Sequence, residues 1–150
     1  MHTIFIALTL ILTSPAFAQS EVSGTCRVVD GDTVFAGSVE VRLQGVAAPE
    51  DPRNQGGKEA TAYMRQLCEG QQVRCELDGT MTRGREVGIC YVDSKDIGAE
   101  VIAAGLARDC TRYSKGRYQA LEQPAASYLA FPPYCSPRKG MYNKIERESK

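Results

Sequence analysis

The chain has 150 residues, with 18 basic and 18 acidic side chains balancing to a formal net charge of zero. That length fits one domain with a modest core, and the balance excludes a global field that would draw the protein to nucleic acid, so such contacts must come from a local cluster. The only histidine is His2, which leaves acid–base work after the opening segment to carboxylates, arginine-polarised water or a metal.

Ile4 to Leu12 form an apolar run, and Ala16-Phe17-Ala18 precedes Gln19. This is the pattern of a cleavable export leader over residues 1–18, too short to span a bilayer. The expected location is periplasmic or secreted, with no membrane anchor. Cys26, Cys68, Cys75, Cys90, Cys110 and Cys135 all follow the leader. No Cys-x-x-Cys occurs, so zinc is disfavoured and three structural disulfides are expected among fifteen possible pairings.

Residues 19–135 read as the folded domain. Val28-Val29-Asp30-Gly31-Asp32-Thr33-Val34 is a hairpin signal: Gly accepts positive φ, and Asp bonds its own turn. It predicts strands over Cys26–Val29 and Thr33–Ala36. After a turn at Gly37-Ser38, a third strand runs over Val39–Leu43, with Val39, Val41 and Leu43 inward and Arg42 leaving the wet face towards the hairpin carboxylates. A loop is expected over 47–57, where Pro49 stiffens the chain before Glu50. A helix over Lys58–Glu69 shows Ala60, Met64, Leu67 and Cys68 on one face and stops at Gly70. A fourth strand over Gln72–Leu77 turns at Asp78-Gly79, and a fifth covers Arg85–Val92. A second helix is expected over Gly98–Ala107, and Pro124 limits a third to about Arg117–Gln123. Phe131 to Cys135 reads as an extended strap, and residues 136–150 as a basic, disordered tail.

The fold class is therefore α+β, mainly β: a five-stranded OB-type barrel with two or three helices, stapled by disulfides. Cys75 and Cys90 fall mid-strand on expected antiparallel neighbours and form the first predicted bridge. Cys110–Cys135 would tie the second helix to the strap, and Cys26–Cys68 is left by elimination. Each contributes about 2–4 kcal/mol when unstrained. A monomer is expected.

Asp32, Glu50 and Arg42 together offer carboxylate oxygens to a hard cation and a planar fork to two phosphate oxygens. At this point the chain resembles the staphylococcal-nuclease (thermonuclease) family. The likeness is carried by Val29-Asp30-Gly31-Asp32-Thr33-Val34, Val41-Arg42-Leu43-x-Gly45-Val46, Ala48-Pro49-Glu50 and Gly84-Arg85-x-Val87-Gly88. Weaker agreement follows at Ala99-Glu100-Val101-Ile102 and Gly105-Leu106-Ala107, so the likeness covers roughly residues 24 to 115 in one order.

The resemblance implies an OB-like barrel and a calcium-dependent nuclease cleaving DNA, RNA or both. Carried across, Asp32 is the metal carboxylate, Glu50 the general base, and Arg42 and Arg85 the phosphate clamps. Arg83 adds local positive charge for nucleic acid, and Tyr113 matches a position packing near the nucleotide. Asp30 supports the turn. One position departs: the family's second calcium-binding aspartate falls on Ala47, so calcium affinity is expected to be weak or lost. The runner-up reading is a catalytically silent OB-type module that binds nucleic acid or another anion. A disulfide-stapled interaction domain with no phosphate site is a third.

Overall fold

The computed structural model describes residues 20–50 and 54–136. The expected leader, most of the expected tail and residues 51–53 lie outside the described residues.

The strands are β1 (Glu21–Asp30), β2 (Thr33–Ala36), β3 (Val39–Leu43), β4 (Val46–Ala47), β5 (Gln72–Thr82), β6 (Arg85–Val92), β7 (Lys95–Asp96) and β8 (Arg108–Asp109). The helices are α1 (Gly57–Cys68), α2 (Ile97–Ala103) and α3 (Thr111–Ser114). Neighbours run β3-β2-β1-β5-β6, and β3 pairs with β6 in parallel, which closes five strands into a barrel. Closure removes sheet edges, the reason short strands of this length form a stable unit.

The inward faces follow the alternation in the sequence. Val73, Cys75 and Leu77 of β5 meet Gly88, Cys90 and Val92 of β6 inside, joined by Val34, Val41 and Leu43. α1 lays Ala60, Met64 and Cys68 on the barrel. Val101 and Ile102 of α2 complete that core. Asp96 caps α2, its Oδ1 accepting from Gly98 N at 2.9 Å and Ala99 N at 3.1 Å. The cysteines pair as Cys26–Cys68, Cys75–Cys90 and Cys110–Cys135. Cys75 and Cys90 are direct cross-strand partners, matching the expected register.

Several elements differ from expectation. β1 begins at Glu21, because residues 21–25 pair with β5 (Gln72–Glu76) rather than trailing as a lead-in. Asp78-Gly79 does not end the strand. It forms a bulge in β5, with Gly79 at φ 80° and Asp78 Oδ1 accepting from Thr80 N, and pairing resumes at Met81. The reversal comes instead at Arg83-Gly84, both left-handed, the two-residue turn whose twist suits a hairpin. Ala47 lies in β4, paired with β8, not in a loop. α2 stops at Ala103 with Gly105 at φ 75°, shorter than 98–107. In place of a helix over 117–123, α3 is followed by 3-10 turns at Gln119–Leu121 and Pro124–Tyr128, since Gly116 and Pro124 break helical continuity. The strap also curls, into a 3-10 turn at Pro133–Cys135.

Candidate functional site

The β1–β2 turn is the floor of the site. Asp30 Oδ1 accepts from Asp32 N at 3.0 Å, the self-bonded turn expected of Asp. Gly31 is not at positive φ. It is needed for space, because a Cβ there would stand 2.7 Å from the Cβ atoms of Ala48 and Ala60. The turn is thus pressed between the Pro49 loop and α1, which fixes where Asp32 points.

Asp32 is buried at 7 % exposure. Its Oδ2 faces Arg42 Nη2 at 3.0 Å and accepts from Ala48 N at 3.0 Å, while Oδ1 accepts from Thr33 Oγ1 at 3.2 Å. Burial, with Asp30 alongside, outweighs the attraction of Arg42 and pushes the carboxyl up to about 7. Arg42 Nη1 also donates to the backbone oxygens of Asp32 and Leu43, each at 3.2 Å. Its guanidinium is therefore turned largely into the protein.

Arg85 is positioned differently. Nε donates to Thr82 O at 3.3 Å and Nη1 to Thr33 Oγ1 at 3.2 Å, so Thr33 links it to Asp32. Among the described residues its Nη2 has no protein acceptor. Arg83 makes no hydrogen bond or ion pair among the described residues and projects from the left-handed hairpin turn.

Asp30, Asp32, Arg42, Glu50, Arg83, Arg85 and Tyr113 all line one open cleft of about 940 Å³. The residues singled out from the sequence are brought together, with one exception. Ala47 does not line the cleft; it is 1 % exposed and packs in a cluster with Cys110, Cys135 and Phe131. The sequence reading missed the opposite wall, where Phe131, Pro132, Pro133 and Tyr134 face the cleft. The signal was present: a Cys110–Cys135 bridge brings Tyr134, one residue before it, towards Tyr113, three residues after it. Their ring centroids lie 6.5 Å apart, edge to face.

Among the described residues, no group of three or more His, Cys, Asp or Glu side chains is placed to hold a metal ion. Asp32 Oδ2 is already engaged by Arg42 and Ala48 N, and Ala47 supplies no side-chain oxygen. The described donor set does not fit a calcium centre of the family's type. Asp51 lies outside the described residues.

A closed five-stranded barrel with an arginine–carboxylate cleft on its wall defines an OB-type class of domain. The profile of the family described as staphylococcal nuclease homologue matches residues 40–127, and the chain belongs to that family. It is also 33 % identical to the succinoglycan biosynthesis protein ExoI of Rhizobium meliloti (strain 1021), over 90 % of this chain and 80 % of that protein. Three disulfides fit a compartment outside the cytoplasm. Among the described residues no helix is long and apolar enough to cross a membrane.

Proposed function

We propose that the protein is an exported nuclease, periplasmic or secreted, that hydrolyses phosphodiester bonds of nucleic acid in this cleft. The observation that carries the reading is that Arg85, Arg83 and Glu50 line one cleft together with Asp32. Arg85 offers its outward fork to the non-bridging phosphate oxygens and stabilises the charge that grows there. Glu50 takes a proton from a water whose oxygen forms the new bond to phosphorus. The bond to the leaving oxygen breaks, and that oxygen is protonated from solvent. Asp32 and Thr33 hold Arg85 and the turn in place.

The test is degradation of denatured DNA by purified protein, with calcium and with chelator. Glu50→Gln and Arg85→Ala are each expected to lower the rate by 10²-fold or more, as removal of one transition-state contact typically does. Activity surviving both substitutions overturns the assignment. The short donor set predicts that any calcium stimulation needs about millimolar ion.

A second reading, binding without cleavage, is favoured by one observation: the oxygens of Asp32 are committed to protein donors. It predicts a salt-sensitive complex with oligonucleotide, weakened by Arg85→Ala, and no product. The name of the Rhizobium relative speaks of polysaccharide biosynthesis. Arg83 and Arg85 in the cleft suit phosphate groups here.

A further inference from the structure

We propose that the strap carrying Tyr134 is a base-stacking wall, so that the cleft takes an unpaired nucleobase between Tyr134 and the barrel while Arg83 and Arg85 hold the adjoining phosphates. This rests on the reading of the cleft as a nucleic-acid site and adds a contact outside residues 40–127, the span of the family match.

Three observations carry it. First, Tyr134 is 49 % exposed and Tyr113 is 47 % exposed, yet both line the cleft and neither completes the core. Exposed rings concentrated in a cleft mark a place where something flat is bound. Second, the ring is held in position without being covered. Cys135 is disulfide-bonded to Cys110, its N–H donates to Pro132 O at 2.9 Å, and Arg112 Nη1 reaches Tyr134 O at 3.5 Å. The strap is thus fixed through its backbone and its cysteine, which leaves the phenol ring available. The edge-to-face contact with Tyr113 orients one ring against the other without closing the faces of both. Third, cations sit within the same cleft: Arg83 and Arg85 on the barrel side and Lys115 on the strap side. Rings interleaved with cations suit a single strand, whose bases expose their π-faces and whose phosphates follow a basic track. A paired base keeps its faces inside the duplex and cannot use the wall.

The experiment uses full-length oxidised protein in chelator, with fluorescence anisotropy of labelled single-stranded oligothymidylate about ten nucleotides long, within the usual site size of such channels. The same-length abasic strand, carrying the phosphates without bases, is the control. Wild type is expected to bind the abasic strand about tenfold more weakly. Tyr134→Ala should lose about tenfold on oligothymidylate and nothing on the abasic strand. Tyr134→Phe should retain full affinity, because the ring and not the hydroxyl makes the contact. Equal affinities of wild type for the two strands, or of Tyr134→Ala and wild type for oligothymidylate, would overturn the stacking wall. If Arg85→Ala nevertheless weakens both strands, the underlying nucleic-acid reading stands without the wall; if Arg85→Ala weakens neither, that reading fails as well. Tyr134-dependent binding of a neutral oligosaccharide in preference to oligothymidylate would overturn the ligand class. A thermal melt of each variant confirms folding.

Discussion

The two walls of the cleft are built on opposite principles. On the barrel wall the polar groups of the floor have several ties: Asp32 meets Arg42, Thr33 and Ala48 N, and Arg42 reaches two backbone oxygens besides. On the strap wall Tyr113 and Tyr134 are half exposed, touch each other edge to face, and are fixed from behind by the Cys110–Cys135 bridge. The first wall is part of what holds the barrel shut; the second is hung on it by one covalent tie. Substitutions should therefore cost stability on the barrel wall and ligand affinity on the strap wall.

The largest expected effect lies where the walls meet. Ala47 pairs with Arg108 in β4–β8 and packs on Cys110, Cys135 and Phe131. Ala47→Asp puts an unpaired carboxylate into that buried cluster and should destabilise by about 3 kcal/mol or more, read from urea midpoints at constant m-value. Millimolar calcium should not restore the loss. Recovery in calcium would show that position 47 can reach the cleft, and would erase the division between the walls.

Next is the ion pair at the floor. Arg42→Ala leaves Asp32 buried with fewer partners and should cost about 2–3 kcal/mol. Tyr134→Ala, by contrast, should stay within about 0.5 kcal/mol of wild type. The pH dependence sharpens the contrast. Below 3.8 the Asp32 carboxyl is protonated in folded and unfolded chains alike; between 3.8 and about 7 the unfolded chain ionises first. Stability should therefore fall as pH rises through that window, by at most about 1.4 kcal/mol per pH unit from this group, and level off above it. Asp32→Asn should flatten that part of the profile. A wild-type profile that rises with pH across the same window, and stays unchanged in Asp32→Asn, would remove burial as the dominant influence on Asp32.

Much of the barrel wall could be read from the sequence because its signals are local and periodic. Val39, Val41 and Leu43 alternate with Arg42, the Asp-Gly turn bonds itself, and cysteines placed mid-strand announce the register of Cys75 with Cys90. What escaped is non-local or irregular. The β4–β8 pair is two residues long on each side and forms only because the chain returns 61 residues later, a pairing without a periodic signature. Asp78-Gly79 has turn chemistry, but the long ladder with β6 absorbs it as a bulge, so tertiary pairing overrides the local preference. Tyr134 escaped because it lies beside prolines in a stretch with neither helix nor strand period, and only the geometry of the Cys110–Cys135 bridge gives it a place.

The smallest expected effect concerns Arg83, where stability and binding should separate within a single residue. Arg83 is at φ 51°, a left-handed conformation that non-glycine residues adopt at some cost, and it has no ion pair or hydrogen bond among the described residues to offset it. Asn tolerates that conformation better. Arg83→Asn should therefore leave the melting temperature unchanged or raise it slightly, by the equivalent of a few tenths of a kcal/mol. The same change removes one cation from the cleft. Oligothymidylate affinity should fall modestly, and the slope of log affinity against log salt should shrink by about 0.7, the contribution of one phosphate contact on a single strand. A marked loss of stability would mean that Arg83 supports the hairpin rather than the ligand. An unchanged salt slope would take it out of the phosphate track and leave Arg85 and Lys115 as the cations of that track.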